Sequence, residues 1–494
     1  MGFSNIDIAI IVIYLVGVTL AGSWYGRKMK TSRDYFLGGK ELHWWLVGFS
    51  IVASETSTLT FISVPGLAYK GNMHFLQLAI GYFIGRLLVS FFMIPAYYKG
   101  EIETAYDFLG KRFGTSLRKF TSTVFIVTRV LASGVRLFAT AIPVHLITGF
   151  DYATSIFIIG IFTLIYTYFG GLKAVVSMDV VQLFIYLIGA IASMIIIINQ
   201  LPNGWSDVIY YATKDGINKF EIFNLSSPNS FYEFITSPYT LIGGFIGGTF
   251  LTMASHGTDQ LLVQRLLACK SKKESQKALM LDASFIVLQF AFFLILGLCL
   301  YAFYEAKPFT ELGLTSSDEI FPKFIIESLP VGVSGLVVAG VLASAMGTLS
   351  SSISSLASSS FLDLFKQTNY GKSLNEKKEI FYSKLFTLFW GLVLIGGAML
   401  FTNNKNPVVE IGLKIASFTY GGLLGTFFLG LFFPKTNQRD AFVGFISGLL
   451  MMVLVIYFTK IDFTWHTLIG CITTISVGKA WWRLLECYRK WWSC

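Results

Sequence analysis

Thirteen long apolar stretches separated by shorter polar ones dominate this chain, at about 5–25, 45–68, 75–98, 119–148, 154–170, 175–200, 237–264, 278–304, 330–362, 380–402, 409–433, 440–458 and 463–482. Most reach the roughly 20 apolar residues that carry a helix across a bilayer. Lipid cannot satisfy backbone N–H and C=O groups, so each stretch is predicted as an α-helix. The pattern predicts an all-α polytopic membrane protein with about thirteen transmembrane helices.

Composition supports that picture: 54% of the 494 residues are hydrophobic and only 13% charged, too much apolar surface for a soluble fold to hide. The net charge of +10 would raise nucleic acid as a partner in a soluble protein. Here the basic residues lie in connections instead, so no nucleic acid is expected and membrane lipid is. One alternate set of connections holds clusters such as Arg27, Lys28, Lys30, Arg33 and Lys40, or Arg265, Lys270, Lys272, Lys273 and Lys277. The other holds scattered lysines such as Lys70, Lys214 and Lys460. Basic loops stay cytoplasmic, which places the N-terminus outside and the C-terminus inside. Basic residues follow the first helix rather than precede it, so it reads as a retained span rather than a cleaved signal. The ending AWWRLLECYRKWWSC has the make-up of an interfacial helix. Cys269, Cys299, Cys471, Cys487 and Cys494 show neither metal spacing nor a disulfide framework.

Ionisable residues inside spans mark functional sites, because each needs a partner or water. The candidates are Glu55, Arg86, Arg129, Arg136, Asp179, Asp259, Asp282 and Lys414. Asp259, Asp282 and Asp179 lie near predicted span ends, where a capping role is the ordinary alternative. Glu55 lies in GFSIVASETSTLTFISVPGLAY (48–69), where hydroxyls crowd the positions before a helix-ending Pro65-Gly66. Hydroxyls compete for backbone groups, and a broken helix at the midplane frees carbonyls that suit a hard cation. A second hydroxyl-rich segment, GVLASAMGTLSSSISSLASSSFLDLF (341–366), places Ser344, Thr348, Ser351 and Ser355 on one helical stripe. Close helix packing explains such a stripe equally well. Two such segments together point to a monovalent ion, since a divalent one would want more carboxylates. No catalytic triad, His-Glu-x-x-His, dinucleotide fingerprint or P-loop occurs. His74, His145, His256 and His466 read as isolated structural histidines, and His43 as one at a membrane interface beside Trp44-Trp45. An enzyme is not expected, and uphill work would draw on an ion gradient.

YFLGGKELHWW (35–45), TAYDFLGKRFG (104–114), YTYFGGLKAVVSMDVVQ (166–182), HGTDQLLVQRLLACK (256–270) and GTLSSSISSLASSSFLDLFK (347–366) resemble signature stretches of the sodium/solute symporter family. The similarity runs over nearly the whole chain. It implies a leucine-transporter type of fold, with two inverted five-helix repeats, one extra N-terminal helix and two extra C-terminal helices. The parts would be 1–44 (first helix and cytoplasmic loop), 45–200 (first repeat), 201–236 (outer loop), 237–433 (second repeat) and 434–494 (C-terminal helices and basic aromatic tail). Each repeat would open on an unwound helix, the second breaking near Gly243, Gly244, Gly247 and Gly248.

Carried over by position, the family's sodium site falls on carbonyls of Ala53, Thr56 and Ser344 and the hydroxyl of Thr348. Its remaining ligand, often a serine hydroxyl, falls on Gly347, so a water, Ser57 or Ser351 would have to complete the set. A second sodium would use Asp179, Ser350 and Ser351. The solute pocket would draw on Ser54, Glu55, Thr58, Gln77, Arg129, Gln260, Gln289 and Tyr420. Arg129 and Arg136 share a helix face. Either could hold a carboxylate, Arg129 could pair with Glu55, or both could snorkel to an interface. The resemblance therefore implies a monomeric secondary transporter of a cell membrane, bacterial inner or plasma. It would couple sodium entry to uptake of an organic anion such as a sialic acid, monocarboxylate or vitamin acid, or of a sugar. An ion channel or a transporter-like sensor is the rival class.

Overall fold

Apolar blocks in lipid have one low-energy conformation, and the computed structural model is helical throughout. It describes the backbone of residues 4–26, 29–56, 58–225, 228, 230–400 and 408–492; side chains at 58, 59, 408–417 and 484–492, with a few single positions, lie outside that description. Among the described residues, eight helices are long and apolar enough to cross a membrane. They are Asn5–Tyr25, Phe75–Lys99, Thr115–Phe138, Tyr152–Gln200, Lys272–Phe303, Val333–Gln367, Glu376–Met399 and Gln438–Phe458. A pair bent by 60°, Trp44–Glu55 with Thr60–Lys70, makes a ninth if it counts as one span.

The shortfall from thirteen has local causes. The predicted stretches 154–170 and 175–200 join in one 49-residue helical run, Tyr152–Gln200. Straight, it would measure ~74 Å, more than twice the hydrocarbon thickness. It is interrupted at Gly171 (φ 53°, ψ −157°), a conformation open only to a residue without Cβ. Stretch 237–264 divides into a π-helical turn at Gly243–Gly247 and helices Gly248–Gly257 and Gln260–Leu267. The last helices, Val408–Phe432 and Phe463–Trp492, are only partly described.

The first interruption falls beside Glu55, the second away from its glycine cluster. The first helix breaks at Thr56 (φ −72°, ψ 83°), and the helix after it runs through Pro65 to Lys70. A proline removes one donor, and surrounding helices tolerate that. The second breaks at Thr258 (φ −126°, ψ −18°), ten residues beyond the glycine cluster. The glycines serve close packing instead: a Cβ on Gly244 would meet Gln77 Cβ at 3.1 Å. Asp259 then caps the next helix, accepting from Leu261 N at 2.9 Å. That is a capping carboxylate, but a buried one.

At the centre stands Val333–Ser358, with every residue from Val337 to Ser358 buried. It packs against Tyr152–Gln200, Asn5–Tyr25, Thr115–Thr148 and Glu376–Met399. Lipid offers no hydrophobic drive for such contacts; small side chains and hydrogen bonds provide them. Asp7 anchors its outer end. Its Oδ2 belongs to the capping box of the first helix, while Oδ1 accepts from Gly332 N, Gly335 N and Ser334 Oγ, each at 2.8 Å. One carboxylate thereby satisfies orphan donors of two helices.

Candidate functional site

Where the first break meets Val333–Ser358, Ser344 Oγ donates to the carbonyl oxygen of Thr56 at 2.7 Å. Beside this stitch lies a cavity of about 10 Å³, close to the ~10–15 Å³ that one water-sized body needs. Ala53 and Thr56 line it from the break, and Ala343, Ser344 and Gly347 from the hydroxyl-rich helix. Gln182, Leu183 and Tyr186 close the third side. Four of the five residues expected at one ion are thus brought together. The fifth, Thr348, donates to Ser344 O at 3.1 Å and lies outside the lining.

Most hydroxyls of the stripe bond to their own helix, as the packing explanation requires. Ser350 and Ser351 donate to Gly347 O at 3.0 and 2.6 Å, Ser352 to Thr348 O at 3.0 Å and Ser355 to Ser352 O at 3.1 Å. The contacts made beyond the helix matter more. Ser344 reaches the break, Ser352 receives Ser133 Oγ at 2.9 Å, and Ser351 receives a guanidinium.

That guanidinium is Arg265, counted among the loop cations by charge alternation alone. On Gln260–Leu267 it is fully buried. It donates to Ser351 Oγ (2.5 Å), Asp179 Oδ2 (3.0 Å), Ser50 Oγ (2.9 Å) and Leu261 O (2.7 Å). Ser50 also donates to Asp179 Oδ2 at 2.6 Å. Two of the three residues expected at a second sodium, Asp179 and Ser351, therefore already hold a cation. Ser351 is likewise spent as a completing ligand of the first site, and Ser57 lies outside the described residues. Asp179 Oδ1, by contrast, is buried and accepts no hydrogen bond.

A second polar cluster joins both breaks. The Arg86 guanidinium contacts Glu55, and its Nε lies 2.8 Å from Asp282 Oδ2. His256 Nε2 is 3.1 Å from Glu55 Oε1 and 3.5 Å from Asp282 Oδ2, with Nδ1 2.9 Å from Ser255 Oγ. Far from isolated, His256 is one of four mutually paired groups. Glu55, His256 and Asp282 lie close enough to share a metal, but the Arg86 charge in their midst opposes a second cation.

Glu55 being taken, Arg129 pairs with Asp259, which also accepts from Tyr420 Oη at 2.8 Å. Arg129 is thereby neutralised, contrary to its expected roles with a free carboxylate or with Glu55. Arg136 differs. It is half-buried, no hydrogen bond or ion pair among the described residues engages its guanidinium, and Arg129, Tyr420, Asp259 and Glu55 lie within electrostatic range of it.

Of the other residues expected at the solute, Ser54 donates to Ser50 O and lies 3.2 Å from Ser351 Oγ. Gln77 spends its amide on His74 O, Tyr239 O and Asn224 N. Gln260 spends its own on Ala105 N and Ser358 Oγ. Neither is left facing a ligand. Gln289 donates to Thr56 Oγ1 at 2.6 Å and keeps Oε1 without a partner. The side chains of Thr58 and Lys414 lie outside the described residues. Gln182 did not stand out as a site residue from sequence, because it looks like any polar residue on an apolar helix.

The Sodium:solute symporter family matches residues 35–448. Over 96% of this chain and 94% of its own, the sodium/sialic acid symporter SiaT of Proteus mirabilis is 26% identical. Human sodium-coupled monocarboxylate transporter 2 is 30% identical over 86% of this chain and 67% of its own. Among solved structures, a substrate-bound, outward-open sodium-coupled sialic acid symporter with a novel sodium site matches with TM-score 0.87 and 26% identity, covering 98% of each chain. Mhp1, a nucleobase-cation-symport-1 transporter in a closed conformation, shares the fold at TM-score 0.54 and 11% identity, over 92% of this chain and 95% of its own.

Proposed function

Because this chain belongs to the sodium:solute symporter family, we propose that the cavity at the Thr56 break binds the coupling ion and that Arg136 receives the carboxylate of an organic-anion solute. The protein is a multi-pass membrane transporter, not an enzyme, and couples sodium to solute uptake. The observation that carries the ion assignment is the meeting of the Thr56 carbonyl, Ser344 and Gly347 around one small cavity. Neutral oxygens in that number suit a monovalent ion that must leave again. Uptake of labelled sialic acid, lactate and glucose into proteoliposomes, with external sodium chloride against choline chloride, tests the reading. Concentrative uptake of a carboxylate only with sodium is expected; equal accumulation in choline would overturn it.

The finer architecture in this reading is thirteen spans with the N-terminus outside, as the alternation of basic loops supports. Two inverted five-helix repeats, at 45–200 and 237–433, each open on one of the two observed breaks. In this reading the chain works as a monomer in a bacterial inner or plasma membrane. Sodium bound from outside would hold Trp44–Glu55 against Val333–Ser358 and favour solute binding next to it. Linkage makes the effect mutual: solute tightens sodium as much as sodium tightens solute. Separation of the two helices on the inner side would release the ion.

Two tests arise here. Thr348→Ala removes the hydroxyl nearest the Ser344 carbonyl, and the sodium concentration for half-maximal uptake should rise on the order of tenfold with expression unchanged. With Arg265 seated between Asp179 and Ser351, we expect one sodium per solute. The sodium dependence of uptake should then follow a Hill slope near one, and a slope near two would restore a second ion.

A further inference from the structure

Neither the ion cavity nor the Arg136 anchor accounts for the cluster of Glu55, Arg86, His256 and Asp282. Its charges do not balance without a further proton. With both carboxylates ionised, one guanidinium faces two anions, and Arg86, His256 and Asp282 are all fully buried. A buried charge without compensation is strongly destabilising. One proton on the imidazole restores neutrality.

The ring is placed both to hold that proton and to release it. Nε2 has an acceptor, Glu55 Oε1, at 3.1 Å and a donor, Arg86 Nε, at 3.3 Å. Asp282 Oδ2 lies 3.5 Å from the same nitrogen and accepts no hydrogen bond. Loaded, Nε2 donates towards the carboxylates; unloaded, its lone pair accepts from Arg86. Across the ring, Nδ1 lies 2.9 Å from Ser255 Oγ, which donates on to Thr252 O at 3.3 Å. A hydroxyl so oriented accepts Nδ1–H in either state, so only the proton at Nε2 changes. From the helices packed around Gly248–Gly257, the charged groups acting on the ring are Glu55, Arg86 and Asp282. Tyr82 and Arg136 act on Glu55 from further out, and Tyr420 of Val408–Phe432 is bonded to Asp259.

We propose that His256 Nε2 is a proton-binding site, and that the proton held there ties the two broken helices together for solute uptake. Glu55 is the last residue before the break at Thr56, and His256 lies two residues before the break at Thr258. A charge-assisted bond from His256 to Glu55 therefore joins the two interrupted ends. Of the four side chains, Glu55 alone reaches solvent, at 21% exposure, so the proton enters and leaves past it. As pH rises the proton departs, the tie weakens and one negative charge is stranded. Stability and uptake both fall with rising pH, because the folded protein holds a proton that the unfolded chain gives up sooner. The proton site stands whichever residues hold sodium or solute.

The test is the thermal midpoint of the purified full chain from about pH 6 to about pH 9, at one saturating sodium chloride concentration. Initial uptake of labelled sialic acid, lactate and glucose into proteoliposomes is followed over the same range. The wild-type midpoint should fall as pH rises, and uptake at the alkaline end should be about tenfold or more below that at the acid end. Asp282→Asn balances Arg86 against Glu55 with no proton needed, and should flatten both profiles to within about threefold in uptake. His256→Gln/Asp282→Asn, which removes the ring as well, should be equally flat. Midpoints of wild type and Asp282→Asn that run parallel with pH would overturn the proton site. A flat uptake profile in wild type would overturn its part in transport, whether or not the variants fold. Failure to accumulate any of the three solutes at any pH would count against the solute reading instead, and the midpoint comparison would still decide the proton site.

Discussion

Arg86→Met protein should lose on the order of 3–5 kcal/mol of stability, because the change breaks a buried ion pair and strands its partners. Arg86 is fully buried, and its guanidinium joins Glu55 and Asp282 across three helices. Without it, two carboxylates would face one another with only His256 between them. Removing an opposing charge together with the arginine is far less damaging than removing the arginine alone, since a buried pair is often replaceable by apolar groups. Arg86→Met/Asp282→Leu should therefore recover much of the loss. The thermal midpoint and yield of monodisperse protein in detergent measure both. A single variant as stable as wild type would show that water already solvates the cluster.

The second large effect is on the solute. Arg136→Gln should raise KM for a carboxylate substrate about 10- to 100-fold, the worth of a charge-assisted bidentate contact, with the sodium-induced thermal shift retained. Arg129→Gln should behave differently. It uncovers Asp259, buried at the second break, and should lower stability and yield rather than KM alone. The contrast separates a guanidinium reserved for a ligand from one spent inside the protein. Unchanged KM in Arg136→Gln, across sialic acids and small carboxylates, would remove the anchor from this residue and reopen neutral solutes such as sugars.

Some features of the site were legible residue by residue. Hydroxyls around Glu55 signalled a broken helix, and the break falls at Thr56, while Pro65 is accommodated inside the following helix. The run 341–366 signalled a buried stripe, and it is buried from Val337 through Ser358. Glycines at 243–248 also signalled a break, but a residue without Cβ serves close packing as well as bending, and only the neighbouring helix distinguishes the uses. Arg265 fitted the rhythm of basic loops so well that its burial could not be suspected.

What the sequence determined by itself was the partition of the chain: helices, lipid phase, the rhythm of basic loops and the two segments rich in oxygen. Those follow from transfer free energies that each residue carries locally and that add along a stretch. Tertiary structure alone decided the pairings. Arg265 meets Asp179 across 86 positions, Arg86 meets His256 across 170, and Ser344 meets Thr56 across 288. Which buried charge is neutralised and which stays open depends on helices meeting in space. Coulomb and hydrogen-bond energies act over a few ångströms, whatever the distance along the chain.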